Sequence, residues 1–271
     1  MDQKSVLFTQ LADMGLSGNE TVLIHSSYKS MGPIEGGPEA VLDYLMEYFA
    51  DGLLVLPTHT WAYIHAKNPE FHVASSPTNV GILTELFRQR EGVYRSYHPT
   101  HSVAAFGKDA ATFVEGAEQF DTPCARGSAW GKLLDREAKI LLVGVDLRRN
   151  TFIHGIEEWV DIPGRITDTQ EELYVVRPDG TRISVPSRRH TPTSWSEHFW
   201  KVDEVLQETG AMWLGKLGEA EVRICDTVRL TEVLTEMLEA YPDLFSDNEP
   251  LREDQRHFFR EEGNKEDTVK K

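Results

Sequence analysis

The sequence predicts an α/β fold of three layers, α/β/α, around a mostly parallel central sheet, with a smaller antiparallel element in the C-terminal half. Three stretches carry that expectation. TVLIHSS (Thr21 to Ser27), the helical-period run PEAVLDYLMEYFA and then GLLVLPT compose a β-loop-α-β unit, which favours parallel pairing with helices on the sheet faces. KILLVGVD is apolar, unbroken and bounded by charges, the pattern of a central strand buried on both faces. EELYVVRPDGTRISVPS sets two β-prone runs about Pro-Asp-Gly-Thr, a hairpin signal.

Taken in order, the first strand ends in small polar residues and runs into HSSYKSMGPIEGG, where glycines precede a helix N-terminus that offers backbone N–H groups to an anion. The spacing of Gly32, Gly36 and Gly37 fits neither a Walker A nor a dinucleotide fingerprint. After the second strand, His59 to Pro77 is longer than an ordinary connection and is read as functional. Thr78 or Asn79 is expected to cap the helix VGILTELFRQRE. SVAAFG reads as a buried strand and SAWGKLLDRE as a short helix. TFIHGIEEW, directly behind KILLVGVD, falls at the carboxyl edge of the sheet, where catalytic groups collect. Ser194 to Glu197 has capping-box spacing and opens a helix through about Gln207; LGEAEVRICD is a strand, and Asp226 caps TVRLTEVLTEMLEAY.

At 271 residues the chain can bury a substantial core. Residues 1–245 are expected to form a single domain with a hairpin insert at about 170–190. From Ser246 onward 14 of 26 residues are charged, so 246–271 is read as a charged C-terminal tail dispensable for chemistry. MDQKSVLFTQLADMGL lacks the basic start and continuous apolar core of a leader, and no apolar run reaches spanning length, so a soluble, cytoplasmic protein with no membrane partner is expected. Two cysteines, Cys124 and Cys225, do not make a disulfide framework. Lys and Arg number 28 against 44 Asp and Glu, and the net charge of -16 repels phosphate backbones, which excludes nucleic acid as a partner.

Three groupings of residues could carry chemistry. His154 and Glu157 lie three apart on one helix face, so the carboxylate can hold Nδ1–H and leave Nε2 free as a general base. The competing reading is a surface ion pair; the apolar neighbours Phe152, Ile153 and Ile156 favour an enclosed site. Glu158 points elsewhere and is read as solvated. In RSYHPTHS, His98, Thr100, His101 and Ser102 join His59, His65 and His72 of the preceding loop; without a recognised ligand spacing they are read as cleft-lining hydrogen-bonding groups, with no metal. Cys124 as a nucleophile beside His98 or His101 is weighed against a buried structural thiol, the commoner case. No G-x-S-x-G elbow is present.

In order and approximate spacing, VLIHSSYKSMGPIEGGPEAVLDYL, LVLPTHTW, RSYHPTHSVAAFG, GSAWGKLL, ILLVGVDL and TFIHGIEEW resemble the aminoglycoside 3-N-acetyltransferase family, the non-GNAT group of acetyl-coenzyme A dependent antibiotic acetyltransferases. The match covers roughly Thr21 to Ile166. It implies one acetyltransferase domain that moves the acetyl group of acetyl-coenzyme A, a cosubstrate, to a small-molecule amine, first of all the 3-amino group of an aminoglycoside, with antibiotic resistance as its setting. It implies His154 as the base and Glu157 as its partner. Ser26, Ser27, Lys29, Ser30 and Met31 would be the coenzyme A contact region, with Thr100 and Ser102 near the thioester end. Phosphates of the coenzyme would favour the helix start at Gly36 and Gly37. Two readings stand beside it: the same fold acting on a non-aminoglycoside amine metabolite, and a non-catalytic coenzyme A-binding protein. Homo-oligomer formation is compatible with the sequence. The chain departs from the family at Gly127 to Trp130, Gly-Ser-Ala-Trp where members often read Gly-Ser-Pro-Leu, and in a basic island of Arg182, Arg188 and Arg189.

Overall fold

The computed structural model describes residues 2–191 and 195–256. Helix α1 (Gln3–Asp13) leads to strand β1 (Thr21–Ser26), a 3-10 turn (Tyr28–Met31), helix α2 (Gly37–Tyr48) and strand β2 (Leu53–Pro57). Then follow β3 (Glu70–His72), α3 (Ile82–Phe87), β4 (Tyr94–Arg95), β5 (Val103–Gly107), α4 (Ala110–Val114), α5 (Ala129–Asp135) and β6 (Lys139–Val143). A 3-10 turn (Leu147–Arg149) opens α6 (Thr151–Trp159), and β7 (Tyr174–Val176) and β8 (Arg182–Ser184) form the hairpin. The described chain closes with a 3-10 segment (Trp195–Val202), α7 (Asp203–Glu208), β9 (Met212–Leu217), β10 (Ala220–Asp226), α8 (Thr227–Ala240) and α9 (Glu253–Arg256).

The main sheet has seven strands in the order β4-β5-β2-β1-β6-β10-β9. β1 pairs in parallel with both β2 and β6, while β5 and β10 run against their neighbours, so five of the seven strands point the same way. Alternate side chains sort to opposite faces, as the strand period of two requires. Leu23, Val55, Ile140 and Leu142 face α5, α6 and α8, whereas Val22, Ile24, Leu54, Leu141 and Val143 face α2 and α3. Both layers are dry, with β2 buried at every position, and each such Leu or Ile contributes about 1.5–3 kcal/mol of burial. This is the expected three-layer α/β/α arrangement.

The hairpin forms as its turn sequence dictates, Tyr174 opposite Ser184, and β3 from the long loop adds to it in parallel. That three-stranded sheet has its own apolar centre of Phe71, Val73, Leu173, Val175 and Val185. Asp226 caps α8 as expected, accepting from Arg229 N at 3.0 Å. The cap of α3 differs: its N-cap is Gly81, because the Thr78 hydroxyl bonds to Val80 N and His59 O, tying the loop instead. Ser194, the expected capping residue, lies outside the described residues, as does 257–271 of the tail. The described start of the tail returns Leu251 to the main core.

Candidate active site

The carboxyl ends of β1, β2 and β6 meet at one edge of the sheet, and the antiparallel β5 brings its amino end, with His98 to Ser102, to the same edge. Around them opens a cavity of about 530 Å³, its wall including His25, Ser26, His59, His101, Thr151, His154 and His190. Gly144 sets the closeness of two of the loops. Its φ of +63° and a Cβ position 2.3 Å from Ser30 Cβ leave room for no side chain between the turn after β6 and the turn after β1.

α6 starts where Asn150, 1% exposed, accepts from Phe152 N at 3.2 Å. Its apolar face, Phe152, Ile153 and Ile156, packs into the core, which turns His154 toward the cavity. His154 Nδ1 lies 2.9 Å from Glu157 Oε2, and the side chains are 16% and 1% exposed, so this is no surface ion pair. Arg165 holds the same carboxylate from behind, Nε to Oε1 and Nη2 to Oε2, both at 2.8 Å, while its guanidinium lies 3.9 Å from the Trp195 ring centre. Burial pushes the Glu157 carboxyl up, yet the bond from His154, its charge and the Arg165 fork outweigh this and hold it below the usual 4.5. Glu157 is therefore an anion able to accept the Nδ1 proton and fix the ring's tautomer, leaving Nε2 for a substrate.

Glu158 is not solvated. The loop carrying His190 folds back over α6, so Glu158 Oε1 accepts from His190 Nε2 at 2.8 Å and from Cys124 N at 2.9 Å, and the carboxylate is 5% exposed. The His190 ring stacks on His154, centroids 4.3 Å apart at 27°. His101 stands 5.2 Å from His190 and 4.8 Å from His59. Burial, then repulsion among these rings, pushes the imidazoles of His59, His101 and His190 down, so they are neutral at pH 7; His98 is lowered to about 4 and His25 to about 3 by burial.

The other expected contacts divide. Ser26 lines the cavity. Lys29 and Ser30 lie on the 3-10 turn beside it and Ser27 directly precedes that turn, Ser30 Oγ bonding Ser27 Oγ at 3.0 Å. Met31 is 1% exposed, and its side chain is packed in the core beside α2. Thr100 and Ser102 are fully buried. The Thr100 hydroxyl pairs with His101 Nδ1 at 2.9 Å, and Ser102 Oγ donates to Thr58 O at 2.8 Å. Gly36, at φ +78°, is the N-cap residue of α2 and makes no side-chain capping bond; Gly37 follows at φ +68°.

Several functional neighbours have no signal in the sequence. Arg165 sits in an unremarkable turn, and His190 pairs with a residue 32 positions away. Arg95 is buried without a carboxylate: it donates to Thr58 O at 2.8 Å and Ser76 O at 2.6 Å, pinning the long loop, and burial lowers it to about 9. Arg182, Arg188 and Arg189 are not a free basic island, since each is paired, with Glu70, Asp121 and Glu171. Cys124 is fully buried and its thiol is pushed well above 9 by burial and by Glu158 and Glu157, which disqualifies it as a nucleophile. Cys124, Glu158 and His190 are, among the described residues, the grouping spaced to hold a metal, rather than the loop histidines. No described helix is long and apolar enough to cross a membrane.

Comparison with known proteins agrees with this geometry. A family model described as aminoglycoside 3-N-acetyltransferase matches residues 23–239. Aminoglycoside N(3)-acetyltransferase VII of Streptomyces paromomycinus is 30% identical over 197 residues, 65% of this chain and 67% of that protein. The solved structure of AAC-VIa bound to sisomicin superposes with a TM-score of 0.76 at 26% identity, over 88% of this chain and 97% of that one. AAC-IIIb in a binary complex with CoASH shares the fold, with a TM-score of 0.76 at 22% identity over 88% and 96% of the two chains.

Proposed function

The chain belongs to the aminoglycoside 3-N-acetyltransferase family, and from that premise we propose that it moves the acetyl group of acetyl-coenzyme A to a primary amine, with His154 as general base and Glu157 as its orienting partner. The observation that carries the reading is the buried chain Arg165–Glu157–His154, whose last member lines the cavity. An ammonium cannot attack a carbonyl carbon until it loses a proton. His154 Nε2 takes that proton, Glu157 stabilises the imidazolium that results, and Arg165 keeps Glu157 ionised throughout. Acetyl-coenzyme A supplies an activated thioester acetyl group. The residues that fit its polyanionic part are Ser26, Ser27, Lys29 and Ser30 beside the cavity, and the N-terminus of α2 at Gly36 and Gly37, where no side chain caps the N–H groups. Met31 shapes this turn from beneath.

Residues 1–245 act in this reading as one acetyltransferase domain with the 170–190 hairpin as an insert closing over α6, and the protein works in the cytoplasm. Relatives named for aminoglycosides make the 3-amino group of an aminoglycoside the reference acceptor. A non-aminoglycoside amine is the second reading, favoured by one observation: no Asp or Glu is among the described residues lining the cavity.

Equilibrium dialysis with acetyl-coenzyme A, followed by thiol release in the presence of amines, tests the proposal. Binding with amine-dependent release of coenzyme A is expected. Failure to bind the thioester overturns acetyl transfer.

A further inference from the structure

α6 carries a second Glu–His pair beside the first. Glu157 and Glu158 stand three and four positions after His154, the two spacings that put a side chain on its side of the helix. Glu157 bonds His154 directly, whereas Glu158 reaches it through another ring. Its Oε1 accepts from His190 Nε2 at 2.8 Å and from Cys124 N at 2.9 Å, and the Glu158 and His190 side chains are 5% and 15% exposed. His190, held in this way, lies on His154 with the ring centroids 4.3 Å apart and the planes 27° from parallel, and Phe199 packs against His154 at 4.9 Å.

A carboxylate only accepts, so His190 Nε2 carries a proton. Burial and the neighbouring His154 push this imidazole down, which keeps it neutral. A neutral ring whose N–H is bonded to a carboxylate presents an electron-enriched face to whatever stacks on it. When His154 Nε2 takes the proton of the acceptor ammonium, the imidazolium lies against that face, with the Glu158 charge one helical turn away and little screened by water. No proton passes to His190.

We infer that His190, oriented by Glu158, is a positioning residue for acetyl transfer: it fixes the plane of the His154 ring and supports the imidazolium formed when the acceptor amine loses its proton. The inference rests on the acetyl-transfer reading and adds two residues to its proton-accepting site.

The charges that face His154 are Glu157 and Glu158 of its own helix and Arg165, whose Nη2 lies 3.4 Å from Nδ1. The other imidazoles are His190, His101 at 5.2 Å from His190, and His59 at 4.8 Å from His101. The arginines of the cavity wall are each paired with a carboxylate, Arg148 with Asp146, Arg149 with Glu197 and Arg189 with Glu171. Glu158→Gln keeps an acceptor for His190 and removes one anion from this set, so His154 becomes a weaker base.

The test is the pH profile of kcat/KM, from coenzyme A thiol release, for wild type, Glu158→Gln, His190→Ala and His190→Phe, alongside acetyl-coenzyme A binding. In Glu158→Gln the acidic limb is expected to move down by about 0.5 pH unit or more, with a lower plateau. His190→Ala is expected to lower kcat/KM by about tenfold or more with cofactor affinity unchanged, and His190→Phe, which restores a stacked ring, to recover at least about threefold of that loss. The two positions probe one contact from its two ends, so a folding failure at one leaves the other to decide. An unmoved acidic limb in Glu158→Gln, a Phe variant no better than Ala, or loss of folding at both positions makes the role structural and overturns the inference, leaving acetyl transfer standing. A wild type that fails to bind acetyl-coenzyme A, or releases no thiol with any amine, overturns both.

Discussion

Replacing Arg165 with Met strips the fork from Glu157 and keeps most of the side-chain volume. Glu157 is 1% exposed and Arg165 2%, and the two share bonds of 2.8 Å at both carboxylate oxygens. In the variant a nearly dry carboxylate retains His154 as its partner. Breaking a buried pair from one side costs about 3–5 kcal/mol, because the surviving charge has no water to return to. For a chain of this size that is a fall in Tm of roughly 6–20 °C. The loss depends on pH with a defined sign. Glu157 in the folded protein ionises below its ordinary 4.5, so its contribution is fully present above the unfolded carboxylate range and is lost as pH falls through the folded value. Circular dichroism melts of wild type and Arg165→Met at pH 7 and at pH 4 should show a large gap that narrows in acid. A gap worth less than about 1 kcal/mol at pH 7, or one that does not narrow, refutes the claim that Arg165 holds Glu157 as an anion.

Glu157→Gln removes the anion that stabilises the His154 imidazolium, and thiol-release kinetics should show kcat/KM down by about 100-fold or more, with acetyl-coenzyme A binding little changed. Cys124→Ala should keep kcat/KM within about threefold of wild type, and iodoacetamide at pH 7.5 should not inactivate the native enzyme, since the thiol is buried and protonated. The buried histidines make stability fall with acid. His98 shifts from 6.5 to about 4, so the unfolded chain binds its proton first, and about 3 kcal/mol is lost between those values; urea melts across pH 7 to 4 should show the midpoint falling.

What the sequence made legible were the elements whose signal is local. β1, β2 and β6 are dense β-branched or aliphatic runs, the 174–184 hairpin is declared by Pro-Asp-Gly-Thr, and Asp226 caps α8 because its own side chain reaches Arg229 N. Strand β9 escaped because it is the sheet's edge strand, with only its end residues Met212 and Leu217 buried, and Gly215 and Lys216 break its apolar run. Thr78 was mistaken for a cap because its hydroxyl serves a contact 19 residues away. The His154–Glu157 pair was visible as an i, i+3 spacing, but not what surrounds it. Arg165 and His190 come from a turn and from the end of the hairpin, and Glu158 is enclosed by His190 and the Cys124 backbone, both distant in sequence. One residue's spacing along a helix cannot reveal a partner delivered by another element. Membership of the family was legible in six motifs in register, and the family model matches 23–239.

The central claim is that His154 takes the proton from the acceptor amine. Thiol release and acetyl-coenzyme A binding should be measured side by side for wild type and His154→Ala, with whichever amine the wild type prefers. Cofactor affinity is expected to stay within about threefold and kcat/KM to fall by about 10²–10⁴. A His154→Ala protein that folds, binds acetyl-coenzyme A and retains activity within about tenfold of wild type contradicts it.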